Sequence, residues 1–137
     1  MNSPLLALDI GRKRTGVAIS ESGILSTPLT VLQADPPHMQ RVVQEVVTLV
    51  REHETKTLVI GIPYSSEDAL TEQAVRIEQV INRLEEQVMA DVPWPVAIER
   101  INEFRTSQDA AELYPGVPGD SAAAALILQD YIDQYPA

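Results

Sequence analysis

Apolar residues fill nearly every position from Leu5 to Ile10, interrupted only by Asp9, and return from Val17 to Ile19. Apolar runs without alternation predict strands covered on both faces, in the middle of a sheet. Gly11-Arg12-Lys13-Arg14 lies between the runs, so Leu5 to Ser20 reads as a β-hairpin with a basic turn. Gly11 and Gly16 free the backbone to turn and let a ligand come close. Glu21-Ser22-Gly23 makes a further turn, and Ile24 to Leu32 reads as a third strand. Pro28 within it marks an edge or a bulge. Three strands joined by tight turns form an antiparallel meander.

After Ala34-Asp35-Pro36-Pro37 the period changes. Met39, Val42, Val43, Val46, Val47 and Val50 fall at helical spacing between His38 and His53. Both histidines are expected at the surface. Lys56 to Pro63 is a short apolar strand between two helical segments, hence parallel and central. Ser65 to Leu70 is a polar loop suited to a site rim. Thr71 caps a second helix with Ala74, Ile77, Ile81, Leu84 and Val88 on one face, while Arg76 and Arg83 fall elsewhere on it. Pro95 to Glu103 reads as a fifth strand and Thr106 to Leu113 as a short helix. A loop follows over Tyr114 to Gly119. Asp120 then caps a last helix over Ser121 to Tyr131, whose Ala122 to Ala125 permit close contact with a sheet. The predicted class is α/β: a mixed five-stranded sheet, three antiparallel strands then parallel ones, with helices on its faces. One domain over residues 1–137 is expected.

Composition narrows the function classes. The 137 residues are 45% hydrophobic and 22% charged, a globular balance. Cysteine is absent, which excludes disulfides and thiolate metal or redox sites. The N-terminus leads straight into a strand without signal-peptide features, and no apolar stretch suits a bilayer span. A soluble, cytoplasmic protein without a membrane partner is expected. The formal net charge of −10 opposes broad attraction to nucleic acid. Any nucleic-acid contact must rest on a few clustered Arg and Lys.

Three acids sit at element ends: Asp9 closing the first strand, Glu103 closing the fifth and Asp120 opening the last helix. Scaffolds present such positions to one crevice. Carboxylate oxygens suit Mg²⁺ or Mn²⁺, and two such ions about 4 Å apart activate water and stabilise a leaving phosphate oxygen. Each acid also has a plainer reading. Asp9 shapes a turn, Glu103 is a solvated strand end, and Asp120 is an N-cap.

The joint pattern resembles a known family. Leu8-Asp9-Ile10-Gly11-Arg12-Lys13-Arg14-Thr15-Gly16-Val17-Ala18-Ile19-Ser20 is similar to the opening motif of the YqgF (RuvX) family, small Holliday-junction-resolvase-like proteins linked to pre-16S ribosomal RNA processing. Thr27-Pro28-Leu29, Val59-Ile60-Gly61-Ile62-Pro63 and the Asp120 to Gln129 helix resemble later family motifs. The resemblance implies a ribonuclease-H-like fold and a metal-dependent nuclease. It implies Asp9, Glu103 and Asp120 as catalytic metal ligands for Mg²⁺ or Mn²⁺. Arg12, Lys13, Arg14 and Arg105 would meet nucleic acid, either an RNA precursor or branched or single-stranded DNA. It further implies a ribosomal-subunit precursor as partner, and a monomer or homodimer. One motif departs from the family: Asn102-Glu103-Phe104-Arg105 replaces the usual Asp-Glu-Arg-Leu, so Arg105 is displaced by one position. Two other classes compete. One is a non-catalytic RNA-binding module for ribosome assembly, favoured by the acidity. The other is a fragment of an actin-like ATPase, opposed by the room for only one such domain.

Overall fold

The computed structural model describes residues 3–35, 39–63, 72–102 and 112–136. Strands β1 (Leu5–Ile10), β2 (Arg14–Ser20), β3 (Thr27–Gln33), β4 (Thr57–Ile62) and β5 (Ala97–Asn102) form one sheet in the order β3-β2-β1-β4-β5. β1 pairs antiparallel with β2 and parallel with β4; β2–β3 is antiparallel and β4–β5 parallel. The mixed five-stranded sheet is the one the hydrophobic pattern predicts. β1 is the middle strand, and β4 lies between β1 and β5 with all six residues buried.

Helices cover both faces. Leu6, Leu8 and Ile10 of β1 point to one face, with α1 (Gln40–Glu52) and α2 (Glu72–Asp91). Leu5 and Ala7 point to the other, against α3 (Gly119–Gln134). The strand alternation therefore splits the core into two layers. In α1 the five valines, Val42, Val43, Val46, Val47 and Val50, are all buried. Valine is a poor helix former, so this packing, rather than propensity, holds the helix. Arg100 of β5 grips Glu78 of α2 through Nε and Nη2, which ties the edge strand to that layer.

The structure corrects several sequence expectations. β3 starts at Thr27 rather than Ile24, and Ile24 and Leu25 are exposed. The preceding segment bonds to α3 instead of to a strand: Ser26 N donates to Gln129 Oε1, and Ser26 Oγ donates to the Ala125 carbonyl. Pro28 behaves as expected on both counts. It lies on an edge strand, and the register slips opposite Val17 and Ala18. Asp120 does not cap the last helix. The N-cap is Pro118, no side chain bonds the free amides there, and the helix runs longer than expected, from Gly119 to Gln134. Asp120 lies within the first turn, where its charge suits the helix dipole. His53 is half-buried at the end of α1, while His38 lies outside the described residues. So does nearly all of the short helix expected over Thr106 to Leu113.

Candidate active site

Two of the three sequence-predicted acids come together at one end of the sheet. Asp9 is the penultimate residue of β1, and its alternation with Leu5 and Ala7 turns it toward α3. Its partner across the hairpin is Gly16. The β1–β4 register, carried one step beyond Leu8 and Ile60, brings Gly61 level with Asp9 on the other side. The acid thus stands between two glycines on the same face.

Those glycines let α3 descend onto the sheet beside Asp9. A Cβ placed on Gly16 would stand 1.8 Å from the Asp120 carbonyl oxygen and 2.8 Å from the Ser121 nitrogen. One placed on Gly61 would stand 2.6 Å from Cδ1 of Ile127. Ala124 and Ala125 are fully buried along the same contact. Small residues on both sides shorten the separation between helix and sheet, so the first turn of α3 sits directly over β2 next to Asp9. The sequence suggested that Gly16 admits a ligand. The space is filled by the Asp120 backbone instead, and the glycine's task is to bring in that residue.

Charge is arranged around this junction. Arg14, the first residue of β2 rather than part of the turn, places Nε 2.8 Å from Oδ2 of Asp120. The pair is half-exposed, at 51% and 34% for the two side chains, so solvent weakens it. Arg12 and Lys13 are exposed in the turn, which Gly11 closes by donating its amide to the Arg14 carbonyl at 2.9 Å. Ala34 N donates to the Lys13 carbonyl at 2.8 Å and fixes the turn to the end of β3. Asp9 is half-buried. Glu103 and Arg105 lie outside the described residues. Among the described residues no group of three metal-ligating side chains gathers, as expected when the third acid is not among them. The donor set of Asp9 and Asp120 is oxygen-only, which fits a hard divalent cation and not a soft one.

An antiparallel hairpin continued by parallel strands, with a helix laid over the hairpin's acidic end, is the architecture of resolvases of the ribonuclease-H-like class. The RuvC resolvase of Thermus thermophilus superposes with a TM-score of 0.66 at 10% identity, covering 96% of this chain and 95% of that one. A second structure of that RuvC, in complex with a Holliday junction substrate, gives the same TM-score at 13% identity. Likeness at this identity shows the fold alone.

Sequence comparison makes the assignment narrower. The model of the RuvX family, described as Holliday junction resolvase, matches residues 3–134, and the chain belongs to this family of nucleases. A relative from Trichormus variabilis, named "Putative pre-16S rRNA nuclease", is 34% identical over 134 residues, covering 93% of this chain and 86% of the relative. One of the same name from Chloroflexus aurantiacus is 33% identical over 139 residues, covering 94% and 86%.

Proposed function

We propose that the protein is a divalent-metal-dependent nuclease in which Asp9, Asp120 and Glu103 hold Mg²⁺ or Mn²⁺. The observation that carries this reading is the convergence of Asp9 and Asp120, which are 111 positions apart in the sequence, on either side of Gly16. Crowded carboxylates repel, and a divalent cation turns that cost into ligation. When bound, the metal would activate water and stabilise the oxygen leaving the scissile phosphodiester.

The chain's own cations would do the binding. Arg12 and Lys13 lie in the turn that follows Asp9 and Arg14 opens β2 beside Asp120, and with Arg105 they would neutralise backbone phosphates near the acids. This placement answers the unfavourable net charge, because the positive groups cluster where the strand must lie. Arg14→Gln is expected to leave the melting temperature nearly unchanged, since a half-exposed pair contributes roughly 0–1 kcal/mol. It is expected to weaken nucleic-acid binding and to lower the slope of log affinity against log salt by about one. Anisotropy titrations at several salt concentrations measure both.

The substrate class is a ribosomal RNA precursor, following the names of the relatives, with branched or single-stranded DNA as the second candidate. The action would be that of a single domain, as monomer or homodimer, in the cytoplasm. No helix among the described residues is long and apolar enough to cross a membrane. A cleavage assay separates this reading from a purely binding module. Structured RNA carrying a 16S precursor end, single-stranded RNA and a four-way DNA junction are incubated with Mn²⁺, with Mg²⁺ and with chelator. Cleavage that appears with metal and disappears with chelator is expected. Tight binding with no cleavage under any metal would favour the assembly module instead.

A further inference from the structure

On the face of the sheet opposite the acids, the end of β1 opens into a cavity of about 230 Å³ between the hairpin turn and α2. Ile10, Met39, Ile77 and Val80 give it an apolar floor, and Arg12, Arg76 and Arg83 surround it. The sequence has 10 Lys and Arg against 20 Asp and Glu, yet this wall gathers three of those arginines and, among the described residues, not one acid. Such a distribution in an acidic chain marks a place built to receive negative charge.

Arg76 makes the case specific. Its Nε and Nη2 are shut off from solvent, and among the described residues neither has a hydrogen-bond partner. Buried donor atoms without an acceptor are costly, and buried polar groups are nearly always paired. Arg76 lines the cavity, and a small turn of its guanidinium toward that space would offer both donors to an anion from outside the chain. Nε and Nη2 are adjacent donors on a planar fork, the geometry that phosphate oxygens accept two at a time. The apolar floor beside them suits the flat face of a base or ribose carbon.

We infer that this cavity is a nucleotide-phosphate subsite, with Arg76 as its anchor and Arg12 as a supporting cation. The subsite rests on the nucleic-acid reading above for its place along a strand. Arg12 lines the cavity while Arg14, two residues on, faces Asp120 on the other side of the sheet. A strand crossing the basic turn would therefore meet the acids with one phosphate and the cavity with another. The same chemistry would serve a free mononucleotide.

Equilibrium binding in chelator tests this without cleavage. Adenosine 5′-monophosphate, adenosine and a decaribonucleotide are titrated against the wild-type chain, Arg76→Met and Arg76→Lys. Adenosine is expected to bind at least tenfold more weakly than its monophosphate. Arg76→Met is expected to lose tenfold or more in affinity for the phosphorylated probes while melting no lower than wild type, because it removes an unpaired buried donor. Arg76→Lys keeps the charge without the fork and is expected to fall between. Loss confined to the decaribonucleotide assigns the subsite to a strand; loss shared by the monophosphate assigns it to nucleotides generally. Equal affinities in wild type and Arg76→Met for both phosphorylated probes would overturn the inference. A chain that binds through Arg76 but cuts nothing would keep this subsite and reject the nuclease.

Discussion

Asp9→Asn is expected to lower metal-dependent cleavage by about a hundredfold or more while the chain still folds. Losing even an outer partner of a metal ligand commonly costs 10–100-fold, and a ligand itself costs at least as much. The substitution keeps the shape of the side chain and removes the charge that draws the cation. Asp9 is half-buried at a strand end, so its effect on stability should stay within about 1 kcal/mol. Initial rates at fixed Mn²⁺, read beside a thermal melt, separate the two effects. Full activity in the variant would remove Asp9 from the centre, and collapse of the melt would make it a folding residue.

Gly16→Ala carries the second large effect, through the backbone. The added methyl would need to occupy a point 1.8 Å from the Asp120 carbonyl oxygen, and the obstacle is main chain on both sides. A flexible side chain can swing aside, but here the first turn of α3 must move. Overpacking of this kind costs about 3 kcal/mol, which for a chain of this length lowers the melting temperature by about 10 °C. Activity should fall as well, because the moving turn carries Asp120. Gly61→Ala serves as the control. The three atoms nearest its methyl would be Cδ1, Cγ1 and Cγ2 of Ile127, a side chain with other rotamers, so about 1 kcal/mol is expected with the acids left in place. Equal losses in the two variants would mean that α3 can slide over the sheet freely.

The sheet was legible in the sequence because its signals are local. Apolar runs without alternation at β1 and β4 announced central strands, and valines at helical spacing announced α1. Boundaries were less legible where another element competes for the backbone. Ile24 and Leu25 read as strand, yet Gln129 of α3 takes the segment next to them through the Ser26 amide and the Ile24 carbonyl. Asp120 read as a cap because aspartate before an alanine-rich run commonly is one. Arg14, distant in sequence, holds its carboxylate at the sheet end instead. Such long-range claims on a side chain leave no trace in local spacing. The same holds for Gly16, whose neighbour is a helix turn more than a hundred positions away. The cavity at Arg76 was beyond sequence reasoning for a related reason. The spacing puts Arg76 and Arg83 off the apolar face of α2, but only the packing of α2 beside the basic turn shows what they surround.

The acids, by contrast, could be collected from the sequence by their positions at element ends. The fold then brought Asp9 and Asp120 together across a glycine that neither motif explains alone. The sharpest test of the account uses anomalous scattering from a crystal of the wild-type chain soaked in Mn²⁺. A manganese peak touching carboxylate oxygens of both Asp9 and Asp120 is the predicted result. A peak held elsewhere, or no peak at concentrations that support cleavage, would contradict the claim that these residues form one metal centre.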